Sequence, residues 1–263
     1  MRGRVRSYAA RRPAYDSNGI AMDEHLDKNT DDPNDPNDAS PVAGIVDWVA
    51  RGIIEGRLQP GDDLNSVDLA KRFKVSRTPV REALFVLSRE GLVDWSPRRR
   101  PRVSAVSLKD VRELYQLRAV LYAQVSFAIV EHASSADIEA LWAAHRRLAD
   151  AAARHDVDGY FWGNVAFRDE ELRVCGNAIF KEVLDSLRMR TNRLRHLSTS
   201  LPGRLQRSCE DHQRLCEAYA ERDGTLAAAL NRSIVLGALR AIEAAWQDGA
   251  SPVRDDVGGA SLR

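Results

Sequence analysis

Residues 42–106 alternate short amphipathic segments with helix-stop and turn signals, and this pattern restricts the possible folds more than any other feature of the chain. Ile45, Val49 and Ile53 recur at helical spacing and predict a helix that ends near Gly56. A second, short helix is expected to run from Ser66, its N-cap, to residue 73. The segment is therefore expected to begin with two closely spaced helices.

A third helix and a hairpin are expected to follow directly. Ser76 is a good N-cap for a helix from residue 77 to about 90, and Gly91 lies where a glycine commonly ends a helix. Residues 92–95 alternate like a strand, residues 98–102 form a basic tip, and residues 103–106 return as a second strand. Three helices followed by a β-hairpin predict a winged helix-turn-helix domain over residues 41–107.

The rest of the chain reads as helical. Apolar residues recur at i, i+3 and i+4, and helices are expected near 108–132, 135–155, 158–174, 177–199, 203–222 and 224–248. This pattern predicts an antiparallel bundle of six or seven helices over residues 108–248. Residues 1–40 are expected to be a disordered arm and residues 249–263 a flexible tail. The fold class is therefore mainly α.

The near-zero net charge conceals a local excess of cations. The 263 residues include 39 Lys and Arg and 38 Asp and Glu, a formal charge of +1, which argues against a nucleic-acid ligand when it is taken for the whole chain. Residues 41–107 hold twelve basic and eight acidic side chains, whereas residues 16–40 hold one basic and eight acidic. The predicted winged domain is thus a small cationic block.

Composition excludes several classes of protein. With 44% hydrophobic residues, a chain of this length can bury a sizeable core. No apolar run reaches the roughly 18–20 residues that span a bilayer, and the N-terminal arginines are not followed by the apolar stretch of a signal peptide. Three cysteines are an odd, sparse set that is typical of reduced thiols, so a cytoplasmic protein without membrane contact is expected.

The start of the third helix carries the residue types of a DNA-reading surface. In a helix-turn-helix the second helix of the motif, here the third of the domain, enters the major groove. Arg77 and Arg81 share one helical face, and an arginine fork can bond O6 and N7 of guanine together. Hydroxyls and helix N-terminal amides suit phosphate. The predicted DNA-binding residues are Ser76, Arg77, Thr78, Arg81, Arg98, Arg99 and Arg100. The alternative is that these side chains are merely solvated.

Several motifs resemble one family of bacterial regulators. The segments IIEGRLQPG (53–61), VSRTPVREAL (75–84) and EGLV (90–93) look like the DNA-binding domain of the GntR family. The ligand-sensing bundle of its FadR/FCD subfamily is similar to later stretches: LYQLR (114–118), Phe167, Gly176-Asn177, Ser208, Asp211-His212 and Asp223. The family usually has a glycine near Arg100, so a different wing turn is expected here.

The resemblance implies a cytoplasmic, nucleoid-associated bacterial transcriptional regulator rather than an enzyme. It implies a homodimer that binds double-stranded DNA at an inverted-repeat operator, usually as a repressor, and that responds to a small-molecule effector. The link at residues 104–108 is where an effector signal would pass to the DNA-binding domain.

The same resemblance implies a metal site that this sequence lacks. FCD bundles commonly hold a cation, often zinc, with an Asp and a His four residues apart and two more His from later helices. The first pair falls on Asn164 and Arg168, one later histidine matches His212, and none lies near Ser233 or Ile234. An amide is a poor zinc ligand and a guanidinium repels the ion, so neither a metal nor another cofactor is expected.

Arg168 would instead place a fixed positive charge where the family's metal lies. A guanidinium binds carboxylates bidentately. The hypothesis is that a small organic anion, such as a carboxylate, binds Arg168, Arg118 and His212, with Asn164 and Arg195 beside them. The alternative is that Arg168 pairs with a neighbouring acid and that the pocket is vestigial.

Two other functions stay open from the sequence. Cys209, His212 and Cys216 share a helix face and with Cys175 could hold a softer metal, which would make a helical metal-binding protein or enzyme. Small core side chains are the simpler interpretation of these residues. The second alternative is an architectural DNA binder that responds to no effector. No convincing Ser-His-Asp or Cys-His-Asp arrangement is present, so catalysis is not expected.

Overall fold

The computed structural model describes residues 40–96 and 99–247, and within these ranges the chain forms ten helices and one two-stranded hairpin. The predicted arm at 1–40, except for residue 40, and the predicted tail at 249–263 lie outside the described residues. In chain order the elements are α1 (Pro41–Ile54), α2 (Ser66–Phe73), α3 (Arg77–Arg89), β1 (Val93–Asp94), β2 (Arg102–Val103), α4 (Leu108–His132), α5 (Ser135–Ala153), α6 (Val157–Cys175), α7 (Ala178–Ser186), α8 (Arg188–Ser200), α9 (Arg204–Ala220) and α10 (Gly224–Gln247).

The three short helices α1 to α3 pack around a core of their own and, with the hairpin, form the head (residues 40–96 and 99–107). Ile45 and Val49 of α1 meet Leu84 and Leu87 of α3, and all four side chains are fully buried. These are the positions that helical spacing assigns to one face, so burial of that face accounts for the packing of both helices.

The N-cap of α2 was predicted incorrectly. Asn65 is the N-cap, because its Oδ1 accepts a hydrogen bond from the backbone N–H of Val67 at 2.9 Å, and Ser66 is already helical. Both residue types cap helices well, so adjacent Asn and Ser leave the choice to the backbone conformation. The helix itself, over residues 66–73, is confirmed.

The hairpin is shorter than predicted, and its second strand begins one residue earlier. Val93 pairs with Val103 and Asp94 with Arg102, whereas residues 104–106 are not in a strand. The other edge of β2 bonds to the segment after α1, through the N–H of Gly61 on the carbonyl of Val103 at 2.9 Å. Beyond residue 103 the chain turns toward α4, whose N-cap is Ser107, so the ladder ends there.

Seven helices, α4 to α10, form the body (residues 108–247), and a second apolar core runs between them. The single helix predicted over 177–199 is instead two helices, α7 and α8, separated at Leu187. The N–H of Leu187 bonds to the carbonyl of Leu184, three residues back, at 3.3 Å. This tighter bond closes the last turn of α7, and Leu187, with φ −97° and ψ −4°, ends the helix, while the apolar spacing in the sequence continues across the break.

Helix α10 is long and apolar enough, by length and composition alone, to cross a membrane. In the body it packs along α4 and contributes Ala227, Ile234, Val235 and Ile242 to the core. It also carries Asn231, which is fully buried and hydrogen-bonded to other helices. Packing inside the bundle therefore accounts for its apolar character.

The head rests on α8 of the body. Met189 packs against the core of the head, and Arg193 Nη1 donates to the carbonyl of Ser104 at 2.7 Å. Arg190 Nε donates to the carbonyl of Glu90 at 3.3 Å and lies against Gly91, where an added Cβ would come within 2.6 Å of that nitrogen. Gly91 also has a positive φ of 74°, so the end of α3 favours glycine here.

Candidate DNA-binding surface and anion pocket

The predicted DNA-reading residues lie on the open face at the start of α3. Ser76, Arg77, Thr78 and Arg81 are all exposed, while the opposite face of the helix is buried in the head. The hydroxyl of Ser76 stands at the N-cap position but makes no capping hydrogen bond. The four side chains thus face solvent together with the backbone N–H groups of the first turn, an arrangement that suits phosphate and base edges.

The basic wing is partly neutralised by an acid that the sequence analysis did not single out. Arg102 Nε bonds to Asp63 Oδ1 at 2.7 Å, and Arg100 Nη1 lies 3.9 Å from Asp63 Oδ2. Arg99 is exposed, and Arg98 lies outside the described residues. Asp63 is distant in sequence from the wing, and only pairing of β2 with the segment at 61–63 brings it there. Of the described wing arginines, Arg99 has no carboxylate partner within ion-pairing distance.

All five predicted effector-binding residues border one cavity inside the body. Arg118 comes from α4, Asn164 and Arg168 from α6, Arg195 from α8, and His212 from α9. The cavity has about 360 Å³ of empty space, including the part that is open to solvent. Its remaining polar lining is supplied by Tyr115, Ser198, Thr199, Arg204 and Ser208. The cavity lining thus contains four arginines and no carboxylate.

Arg168 is held by a buried acid rather than being free. Its Nη1 donates to Glu171 Oε2 at 2.7 Å and to Asn231 Oδ1 at 2.5 Å, and its guanidinium lies 4.4 Å from the ring centroid of Tyr122. Burial by itself would lower the pKa of Arg168, but Glu171 and the neighbouring Tyr122 and Tyr219 raise it above its ordinary value. The alternative considered for Arg168, an ion pair with a neighbouring acid, is therefore the arrangement observed.

Glu171 is fully buried, and three donors saturate it. Besides Arg168, it accepts from Tyr219 Oη at 2.7 Å and from Asn231 Nδ2 at 2.8 Å, both on Oε1. Asn231 Nδ2 also lies 3.0 Å from Ser126 Oγ. Four helices, α4, α6, α9 and α10, thus contribute to one polar network inside the core. Sequence reasoning missed Glu171, Tyr219 and Asn231. The three-residue spacing from Arg168 to Glu171 was the one available signal.

His212 is buried, neutral and hydrogen-bonded on both ring nitrogens. Nδ1 lies 2.7 Å from the carbonyl of Ser208 and so carries the proton, which leaves Nε2 to accept from Asn164 Nδ2 at 3.2 Å. Burial and the charge of Arg168 hold the pKa of His212 well below its usual range. Asn164 and the carbonyl of Ser208 therefore fix the orientation of the imidazole.

The alternative thiolate site does not form. In residues 40–96 and 99–247 no three His, Cys, Asp or Glu side chains are grouped so that they could hold a metal ion. Cys209 Sγ lies 3.9 Å from His145 Nε2, while Cys216 Sγ lies 4.0 Å from the carbonyl of Leu141, so the two thiols have different neighbours. Burial raises the pKa of both thiols, as expected for core cysteines.

Three arginines at the cavity lack an acidic partner. Among the described residues, Arg118, Arg195 and Arg204 have no carboxylate within ion-pairing distance. Arg118 is instead 5.0 Å from the ring centroid of Tyr115. Burial, together with the charge of Arg118, lowers the pKa of Arg195 to about 10. Within the described part of the chain, the buried Nε of Arg204 has no hydrogen-bond partner, and the buried hydroxyl of Tyr115 has the guanidinium of Arg118 beside it but no acceptor for its proton. Arg204 was missed by sequence reasoning.

Comparisons with known proteins identify both parts of the chain. The model of bacterial regulatory proteins of the gntR family matches residues 41–103, and the FCD domain model matches residues 113–236. The chain is 30% identical to the transcriptional regulator LutR of Bacillus subtilis (strain 168), over 67% of this chain and 90% of LutR. It is 24% identical to the transcriptional repressor RspR of Escherichia coli (strain K12), over 66% of this chain and 76% of RspR.

One further sequence match covers only a part of the chain, and a match to a solved structure concerns the fold. The match to the transcriptional regulator YdhC of Bacillus subtilis (strain 168), 33% identical, spans 34% of this chain and only 40% of YdhC. The solved structure of E. coli McbR/YncC has a TM-score of 0.67 at 22% identity, and the match covers 80% of this chain and 99% of that chain. At this identity the structural match establishes the same architecture of head and body.

Proposed function

This chain belongs to the GntR family of bacterial regulatory proteins, carries an FCD domain and is therefore a DNA-binding transcriptional regulator and not an enzyme; we propose that it is a dimeric repressor. The proposal includes a small organic anion that changes the affinity of the protein for an inverted-repeat operator. The observation that carries the effector half of the proposal is the body cavity, whose lining contains four arginines and no carboxylate. RspR, a relative by sequence, is named a repressor, which favours this sign of regulation.

The DNA contacts proposed are those of α3 and the wing. Arg77 and Arg81 reach base edges from the first turns of α3, and Ser76 and Thr78 bond the adjacent phosphates. Arg98, Arg99 and Arg100 lie along the backbone beside the half-site. Asp63 restrains Arg100 and Arg102, so Arg99 is the described wing cation with the most freedom to bind phosphate.

Dimerisation is proposed through the exposed face of α4. Leu117, Val120 and Phe127 project from one side of this helix and are 45%, 57% and 43% exposed. Leu226, at the start of the neighbouring α10, is 40% exposed. Phe127 lies against Gly224, so the apolar surface continues from one helix to the other. A second copy of this chain is the proposed occupant, because a two-fold operator requires two heads related by the same symmetry.

Regulation is proposed to pass through α8, because this helix both lines the cavity and contacts the head. Arg195, Ser198 and Thr199 line the cavity, whereas Met189 and Arg193 contact the head from the N-terminal half. An anion that draws Arg195 inward therefore moves the surface on which the head rests. Such coupling typically amounts to about 1–3 kcal/mol between the two sites.

DNA binding is tested by selecting enriched sequences from a random duplex library with the full-length protein and measuring their affinity by fluorescence anisotropy. We expect a two-fold symmetric sequence and a loss of about 1–3 kcal/mol in Arg81→Ala. Arg89→Ala, at the far end of the same helix, is the matched control and should bind like the wild type. Equal effects of the two variants would contradict the proposed reading surface.

The response to anions is tested on the selected duplex. A carboxylate that alters the affinity of the wild type but not of Arg195→Gln supports an effector site in the cavity. Arg190→Ala removes a contact to the head without touching the cavity lining, so it should retain anion binding but respond less in DNA affinity. DNA binding that no carboxylate alters would favour the architectural DNA binder instead.

A further inference from the structure

The cavity contains more cationic groups and hydrogen-bond donors than the protein itself neutralises. Of its four arginines, only Arg168 has a buried carboxylate partner, Glu171. Arg118 is 4% exposed and lies against tyrosine rings rather than an acid. Such groups are costly to hold out of water, so their arrangement points to a ligand that compensates them.

Two unsatisfied donors border the same space. In the described ranges the Nε of Arg204 has no hydrogen-bond partner, and the hydroxyl of Tyr115 lies beside the guanidinium of Arg118, which donates and cannot accept its proton. Both residues line the cavity beside Arg118 and Arg195, and the hydroxyls of Ser198, Thr199 and Ser208 complete its polar rim. A ligand with several acceptor oxygens satisfies all of these groups together, whereas an uncharged or apolar ligand leaves them unpaired.

We propose, resting on the function proposed above, that the effector is a small doubly charged oxyanion, a dicarboxylate or a phosphate monoester, bound directly by Arg118, Arg195 and Arg204. A single negative charge would leave two of these three guanidiniums without a counter-ion. Arg168 acts differently: because Glu171 and Asn231 already engage it, it is an internal cation that positions the cavity wall.

This assignment predicts that one substitution raises the melting temperature of the ligand-free protein and lowers its affinity for the anion. Replacing Arg195 or Arg204 by Gln removes an uncompensated cation, so the ligand-free protein should melt at a higher temperature than the wild type. The same variants should lose at least about tenfold in affinity for a dianion, because a charged bidentate contact is gone. A merely structural arginine would behave in the reverse way, lowering the melting temperature without any change in anion affinity.

The experiment measures melting temperature and calorimetric affinity of the full-length protein with succinate, glycerol 3-phosphate, butyrate and glycerol at matched ionic strength. Arg214→Gln, exposed on the same helix as Arg204, is the control variant. We expect one of the two dianions to bind the wild type and Arg214→Gln at least tenfold more tightly than butyrate does, and its binding to weaken in Arg195→Gln and Arg204→Gln. The dianion that binds distinguishes a dicarboxylate from a phosphate ester.

The proposal is overturned if butyrate binds as tightly as both dianions, if neither dianion distinguishes the wild type from Arg195→Gln, or if both cavity variants melt below the wild type. Each of these results leaves the DNA selection experiment unaffected. A protein that selects a DNA sequence but fails the dianion test refutes only the ligand assignment. A protein that binds succinate but selects no sequence refutes the proposed operator binding instead.

Discussion

Replacing Glu171 by Gln perturbs the network at the centre of the body more selectively than any other single change. The two side chains have nearly the same shape, so the substitution removes a charge without opening a cavity. Arg168, 4% exposed, would keep its charge but lose its buried counter-ion, which lies at 2.7 Å. The new amide NH₂ would also face a donor in either orientation, because Arg168, Tyr219 and Asn231 all donate to Glu171.

The expected loss follows from the burial of this pair. Removing one partner of a buried ion pair typically costs about 3–5 kcal/mol, since an uncompensated charge is left inside. For a protein of this size, 1 kcal/mol shifts the melting temperature by roughly 2–4 °C, so Glu171→Gln should melt about 6–20 °C lower. Glu170→Gln, the adjacent residue, breaks an ion pair with the exposed Arg173 and should cost at most about 1 kcal/mol.

Urea unfolding followed by circular dichroism measures these differences. The double variant Arg168→Met with Glu171→Gln removes both charges and should be more stable than Glu171→Gln alone, because no buried charge is then left unpaired. Destabilisation of Glu171→Gln by less than 1 kcal/mol, or strict additivity of the two substitutions, would show that Arg168 and Glu171 are not coupled as the structure indicates.

Three further predictions test the wing, the buried histidine and the dimer surface. Arg99→Ala should weaken binding to all duplexes alike and reduce the salt slope of the affinity by about 0.9, and a change of sequence preference would count against a phosphate contact. Because the pKa of His212 is lowered in the folded state, its contribution to stability is present above the ordinary histidine pKa of about 6.5 and is lost as the pH falls below it. Urea midpoints at pH 7.5 and 5.5 should therefore reveal a loss of stability that is about 1.4 kcal/mol smaller in His212→Asn than in the wild type, and an equal loss in both proteins would contradict this. Val120→Glu should yield a folded monomer by analytical ultracentrifugation, whereas an intact dimer would place the interface elsewhere.

Much of the local structure could be predicted because it depends on contacts within three or four residues. The helix over 108–132 and the winged hairpin follow from caps, glycine stops and apolar spacing. The break at Leu187 could not be predicted, because the apolar spacing continues across it and only the backbone bond to Leu184 marks the end of α7. Asn65 displaced Ser66 as a cap for a comparable reason, since two adjacent residues of similar propensity leave the choice to the backbone.

The sequence by itself determined that this chain has a cationic winged head, a helical body and no complete set of the family's metal ligands, because motifs and charges along the chain carry that information. Only the tertiary structure decided which side chains neutralise one another inside the body. Arg168 is neutralised by Glu171, while Asn231, 63 residues away, completes the network from another helix. Arg118 and Arg195 come together without an acid for the same reason: the packing of separate helices sets which charges meet, and spacing along one helix does not.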